Sequence, residues 1–193
     1  HWIEHYFTLP GYYQIEGKPA IFLWDPRNLR GDLGGSDEVS AALEESREMA
    51  RAAGYAGIYF ATLFGHESEP GARQLEEEGY DGITNYHGWG KAESRAVHPK
   101  LLTFEAVVDT VEEAWAEKAV RSGGMDFFPV ADTGWDSRPW HGQKSLVIQG
   151  RTPDLFRELL RKQRRYAEAK GTPLVVLAPV NEWGEGSYIE PCV

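Results

Sequence analysis

Residues 174–191 read LVVLAPVNEWGEGSYIEP: seven residues without a charge or amide, followed at once by Asn181, Glu182, Trp183 and Glu185. A short apolar run with no polar alternation is the pattern of a strand covered on both faces, as in a parallel sheet. Working outward, four further runs have this character: 19–24 (PAIFLW), 56–62 (AGIYFAT), 81–86 (DGITNY) and 126–131 (DFFPVA). Helical periodicity fills the intervals. The stretch 36–53 sets Val39, Leu43, Ser46, Met49, Ala50 and Ala53 on one face, with Ser36 as the expected N-cap, Asp37 and Glu38 in the first turn and Gly54 as the stop. In 103–122, Phe104, Val107, Val108, Val111 and Trp115 share a face, and Gly123-Gly124 end it. In 152–170, Thr152 is the cap and Pro153 the first helical residue, Leu155, Phe156, Leu159, Leu160, Gln163 and Ala167 face inward, and Gly171 lies just beyond. A shorter helix is expected over 72–78.

Strands alternating with helices imply an α/β fold with a parallel sheet. Helix-to-strand connections are short, whereas the segments after Trp24, Tyr86 and Ala131 are long, which puts the elaboration at the carboxyl ends of the strands. Four of those ends deliver polar or aromatic side chains: Trp24-Asp25, Asn85-Tyr86-His87 with Trp89, Asp132 with Trp135 and Asp136, and Asn181-Glu182-Trp183. Convergence from four strands favours a (β/α)8 TIM-barrel type over a doubly wound sheet, where only the switch point faces a ligand. A closed barrel has eight strands and about 250 residues, so five readable strands predict a partial barrel of about five βα units. The expectation is one catalytic domain over 1–193, the carboxyl-terminal part of a longer barrel, with open sheet edges near 19–24 and after the last strand.

The 193 residues hold 20 Lys and Arg against 30 Asp and Glu, a net charge of −10, which argues against a nucleic-acid partner. The basic cluster Arg161, Lys162, Arg164 and Arg165 reads as a solvated helix face. No apolar run approaches the roughly 18 residues of a membrane span. His1 to Pro10 lack the basic stretch and apolar core of a signal peptide, and the compartment and oligomeric state stay open. The single cysteine, Cys192, rules out an internal disulfide and a cysteine metal cage, and with no histidine nearby in sequence it is a poor nucleophile. No glycine-rich phosphate loop or GxSxG elbow is present.

The densest site is the segment after the last strand. Glycosidic cleavage uses an acid and a base or nucleophile, usually two carboxyl groups in different environments beside aromatic surfaces for the sugar. Glu182 and Glu185, three residues apart with Trp183 between, are of that kind. An isolated ExxE also suits a polar loop capping backbone amides; its place after a buried strand favours the catalytic reading. Trp24, Asn85, Tyr86, His87, Trp135, Asp136, Asn181, Trp183 and Tyr188 are the candidate substrate-binding residues. The loop tryptophans, with Trp89 and Trp140, either stack on sugar or pack beneath loops. Asp25 and Asp136 either bind hydroxyls or cap turns, and Glu190 reads as a turn carboxylate. HxxEH at His1–His5 has no helical pattern around it, and His66, His87, His98 and His141 have no ligand spacing, so no metal is expected.

The segment 181–191, with HYFTLPGYYQIEGKPAIFLW (5–24) and PVADTGWDSRPW (129–140), resembles the WbsX-like proteins related to glycoside hydrolase family 99, along nearly the whole chain. The resemblance implies a β/α barrel and a retaining enzyme acting on α-linked bonds of an oligo- or polysaccharide without metal or other cofactor. It implies that Glu182 is the base that deprotonates the sugar 2-hydroxyl to give an anhydro-sugar intermediate. Glu185 would be the acid that protonates the leaving group and later activates water. Gly184 stands where the endo-α-mannosidase branch, with its NEWHEG segment, has histidine, and Ser187-Tyr188 where it has a Thr-Gln pair. These departures point to the WbsX-like branch, often labelled glycosyltransferase for its place in polysaccharide (O-antigen or lipopolysaccharide) biosynthesis. A glycosyl-transferring enzyme and a non-catalytic carbohydrate-binding barrel are the alternatives.

Overall fold

The fold is that of a computed structural model, which describes residues 1–64, 67–89, 91–96, 98 and 100–190. His66 and Cys192 lie outside the described residues. In chain order the elements are α1 (Trp2–His5), β1 (Gln14–Ile15), β2 (Lys18–Leu23), α2 (Pro26–Leu33), α3 (Ser36–Ala52), β3 (Tyr59–Thr62), α4 (Glu69–Glu78) and β4 (Gly82–Ile83). There follow β5 (Leu101–Thr103), α5 (Phe104–Arg121), β6 (Asp126–Phe127), β7 (Val130–Asp132), α6 (Arg138–His141), β8 (Val147–Gln149), α7 (Pro153–Lys170), β9 (Val176–Ala178), β10 (Asn181–Glu182) and β11 (Ser187–Tyr188). They form two units, His1–Thr84 with Val120–Phe127, and Asn85–Ala119 with Phe128–Val193.

In the first unit β2, β3, β4 and β6 lie side by side in that order, all parallel, with Ala20 opposite Tyr59, Thr62 opposite Ile83 and Ile83 opposite Phe127. Spatial order follows chain order with no reversal, which is barrel progression; a doubly wound sheet reverses at its switch point. The fold is thus α/β, a partial barrel of the (β/α)8 class. All four residues of β3 are buried, as its unbroken apolar run requires. β1 pairs antiparallel with β2 at Lys18 and Pro19, so the edge expected to be open near 19–24 is covered there.

Four sequence expectations change here. The segment after Trp24 is not a long loop but contains α2: Asp25 accepts from the Arg27 N–H as N-cap, Pro26 begins the helix, and Gly34 closes it at a φ of 106°. Ser36 is the first residue of α3 rather than its cap. Its hydroxyl donates instead to Glu78 Oε1 at 2.7 Å, because Glu78 is buried and also held by Arg30, and Gln74 donates to the Ser36 hydroxyl at 2.9 Å. Met49, expected to face inward, is exposed. HxxEH does sit on a helix, but of one turn, which brings the His1 and His5 rings to 4.5 Å.

In the second unit β5 pairs with β8 and β7 with β9, both parallel, and β10 and β11 form a tight antiparallel hairpin. The expected face of α5 is the core: Phe104, Val107, Val108, Val111 and Trp115 are buried, and the Trp115 indole donates to the Val130 carbonyl at 3.2 Å. On α7 only Leu159 and Gln163 of the expected face are fully buried. Gln163 donates to the carbonyls of Pro129 and Val176, both at 2.8 Å, tying the starts of β7 and β9 together. The run 126–131 is not one strand: it breaks at Phe128-Pro129, and Pro129 has no N–H to give a ladder.

Candidate active site

The site lies in the second unit, where Asn85 to Trp89, the turn after β7 and the β10–β11 hairpin come together. Asp132 ends β7 with a fully buried carboxylate. Its Oδ1 accepts from the Gly134 N–H at 2.7 Å, and its Oδ2 accepts from the Gly88 N–H at 3.2 Å and lies 2.8 Å from His87 Nδ1. Gly134 permits the turn through a φ of 114°. Gly88 is required by proximity, since a Cβ there would lie 2.9 Å from Val130 Cγ1 and 3.1 Å from its carbonyl oxygen. Backbone packing thus fixes His87 at the end of β7.

Aromatic rings surround the imidazole: Tyr86 at 4.2 Å, Trp89 at 4.3 Å and Trp135 at 4.6 Å between centroids, with Trp89 and Trp135 5.4 Å apart. His87 Nε2 is buried with no hydrogen-bond partner, as is Asn85 Oδ1. Facing the imidazole is Glu185, on the one-turn 3-10 helix that links β10 to β11. The Tyr86 hydroxyl donates to Glu185 Oε2 at 2.9 Å, and His87 Nε2 lies 4.0 Å from the same oxygen. Burial pushes the Tyr86 phenol well above its ordinary range. The hydrogen bond to Glu185 and the charges of Glu185, Glu182 and Asp132 push it the same way, so it stays a donor at any ordinary pH.

The hairpin is pinned from below. Asp136 N–H donates to the Glu185 carbonyl at 2.6 Å, the buried Ser187 hydroxyl donates to the Gly134 carbonyl, and Arg151 donates to the carbonyls of Thr133 at 3.1 Å and Gly186 at 2.6 Å. Gly186 takes a φ of 62° with its α-carbon against Asp136. Gly184 lies directly against the Trp140 indole, so the histidine of the mannosidase-like segment has no room here unless Trp140 moves. Trp183 and Tyr188 stack at 4.3 Å with planes 21° apart, and the Trp183 indole donates to Glu190 at 3.1 Å.

Tyr86 and His87 therefore both lie against Glu185, and Trp135 packs on His87. Glu182 begins the 3-10 turn, half-buried, and its charge is felt at Tyr86. Asn181 is exposed opposite Tyr188 on the hairpin. Asp136 is engaged by Arg138, whose guanidinium holds its carboxyl below the usual range, and so serves as a turn residue. Trp24 belongs to the first unit, where its exposed indole meets Phe64 edge to face. Asp132 and Arg151 were not among the expected site residues: Asp132 showed only as a polar strand end, and Arg151 gave no signal beyond standing before a helix cap. Among the described residues no three His, Cys, Asp or Glu side chains are grouped to hold a metal ion.

The profile of the family described as Glycosyltransferase WbsX matches residues 1–193, the whole chain. The chain belongs to that family. No curated protein matches it in sequence. Among solved structures, the GH99 endo-alpha-mannosidase from Bacteroides thetaiotaomicron is similar to this WbsX-family chain with a TM-score of 0.65 and 18% identity, over 100% of this chain and 50% of that one. A protein described as glycoside hydrolase-like is similar with a TM-score of 0.63 and 20% identity, over 93% of this chain and 48% of its own. The chain spans about half the length of these structures. At such identities the likeness is one of fold, and it agrees with a partial barrel.

Proposed function

We propose that this WbsX-family chain carries the catalytic residues of a glycan-active enzyme, a retaining glycoside hydrolase that cleaves α-linked bonds with Glu182 as base and Glu185 as acid. The observation that carries the reading is the unlike surroundings of the two carboxylates. Glu185 accepts from the Tyr86 hydroxyl and lies 4.0 Å from the buried Nε2 of His87, a histidine that Tyr86, Trp89 and Trp135 surround, while Glu182 heads the same turn without a side-chain hydrogen bond to cap it. Unlike environments are how one site keeps one carboxyl as acid and another as base.

In this reading Glu182 takes the proton of the sugar 2-hydroxyl, whose oxygen attacks C1 as the glycosidic bond breaks, and Glu185 gives its proton to the departing oxygen. Water then attacks C1 and gives a proton to Glu185, while the 2-oxygen recovers its proton from Glu182. Two displacements at C1 return the original configuration. The exposed Trp183 and the Trp89–Trp135 pair offer the flat apolar faces that sugar C–H groups cover.

The test is reducing-end release by the full-length protein from yeast α-mannan and from rhamnose-containing polysaccharides, with no sugar nucleotide present. Release that Glu182→Gln and Glu185→Gln abolish supports the hydrolase. The family description supplies the second reading, glycosyl transfer, which a strict need for a nucleotide donor would establish. Binding without turnover would make the chain a carbohydrate-binding barrel and overturn both.

A further inference from the structure

We infer that Asp132 and His87 are a positioning pair for Glu185: Asp132 holds the histidine in the tautomer protonated on Nδ1, so that bare Nε2 faces Glu185 as a hydrogen-bond acceptor. The inference rests on reading Glu185 as the acid. The tautomer follows from a count of donors. Asp132 takes backbone N–H groups on both oxygens, at 2.7 Å from Gly134 and 3.2 Å from Gly88, so the proton in its 2.8 Å contact with His87 comes from Nδ1. A neutral imidazole carries one ring proton, which leaves Nε2 with its lone pair.

That nitrogen is buried, has no hydrogen-bond partner and lies 4.0 Å from Glu185 Oε2. The gap is about 1 Å longer than a hydrogen bond, and catalytic contacts are often long in the free enzyme and tighten when substrate binds. The groups facing the imidazole are Asp132 from β7, Glu185 from the turn after β10 and the phenol of Tyr86, with the uncharged rings of Trp89 and Trp135 on its other sides. Glu182 acts on Tyr86 through its charge.

The two neighbours of Glu185 have opposite hydrogen-bonding roles. The Tyr86 hydroxyl donates to it, and bare Nε2 can only accept from it. An acid that must give a proton to the leaving oxygen and then take one from water needs both states within reach. His87 keeps its single proton on Nδ1 throughout, and the transferred proton runs between Glu185, the glycosidic oxygen and water.

Asp132→Asn is the discriminating variant. The shorter bond, from Gly134, keeps the new amide oxygen on that side at the loss of the longer bond from the Gly88 N–H, which turns the –NH2 toward Nδ1. Histidine must then accept at Nδ1 and carry its proton on Nε2, now a donor aimed at Glu185. The full-length protein, labelled with 15N-histidine, should show His87 protonated on Nδ1 in the wild type and on Nε2 in Asp132→Asn, with far-UV circular dichroism confirming that the variant folds. Glu185→Gln should move the Nε2 resonance and leave Nδ1 protonated. On the polysaccharide that the wild type cleaves, Asp132→Asn should move the alkaline limb of kcat/KM to lower pH by about one unit or more. His87→Phe, which removes the acceptor without adding a donor, should move it the same way by less.

An Nε2-protonated wild type, an Nε2 resonance indifferent to Glu185→Gln, or activity losses without a shifted limb would overturn the inference. Failure of the hydrolase reading alone looks different: the wild type releases no reducing ends while the His87 resonances behave as described.

Discussion

At the scale of single residues the chemistry of the site divides by proton. Glutamine at Glu182 or Glu185 keeps shape and hydrogen bonding but removes the ionisable group, and positioned acid-base groups commonly contribute 10²- to 10⁴-fold, so either variant should lower kcat by about that much. A nitrophenolate leaves with little protonation; it should partly rescue Glu185→Gln in the glycosylation step and leave Glu182→Gln unrescued. Glu190, which accepts the Trp183 indole N–H from an exposed position, should lose little as Glu190→Gln, since an amide oxygen still accepts. Equal, small losses in all three would defeat the assignment. Asp136 gives a separate test in stability. The Arg138 guanidinium depresses its carboxyl, so this stabilisation is present above the unfolded value of about 4 and is lost as pH falls through the lower folded one. Asp136→Asn should therefore lower Tm slightly at pH 7, the pair being largely exposed, and leave it unchanged near pH 2; a larger loss at pH 2 would mean that the neutral side chain matters.

At the scale of elements the hairpin that carries both carboxylates depends on Gly186, and α7 on its Thr152 cap. Gly186 has a φ of 62°, and a Cβ there would lie 2.7 Å from Asp136 Cβ and 3.0 Å from its backbone nitrogen, neither of which can swing away. Gly186→Ala should cost about 1–3 kcal/mol, read by denaturant unfolding, and lower activity by displacing Glu185. Thr152 caps α7 through the Leu155 N–H, and Thr152→Ala should cost about 1 kcal/mol in the same experiment with activity kept at temperatures where the protein is folded. What was legible at this scale was whatever carried its own pattern. β2, β3 and β9 announce themselves as apolar runs, and α3, α5 and α7 as faces with stops. α2 buries only Pro26, so no periodicity marks it, although Asp25, Pro26 and Gly34 were a readable cap, start and stop. β5 and β8 are three residues each, and their pairing across more than forty residues leaves no local trace. The same distance hid the pair of Asp132 and His87, while the two glutamates and Tyr86, His87 and Trp135 were visible as polar and aromatic strand ends.

At the scale of the whole chain the charge of −10 sets a field that long, charged substrates meet before they reach the site. The arginines nearest the candidate site are committed: Arg138 to Asp136, and Arg151 to two carbonyls and the face of Tyr188. Three carboxylates, Asp132, Glu182 and Glu185, stand within the field that Tyr86 feels. A polyanionic glycan is therefore repelled both at long range and at the turn, whereas a neutral α-linked glycan is indifferent to the field and answers only to the aromatic faces and hydroxyl partners. The Debye length falls from about 30 Å at 0.01 M salt to about 10 Å at 0.1 M, so repulsion of exposed charge is mostly removed across that range. For a neutral polysaccharide kcat/KM should stay flat between these salt concentrations; for a uronic-acid-bearing one it should rise severalfold, through KM rather than kcat, because screening changes encounter and not the proton transfers. Faster cleavage of the acidic glycan at low salt would mean that cations contributed by other parts of the full-length protein dominate the approach to the site.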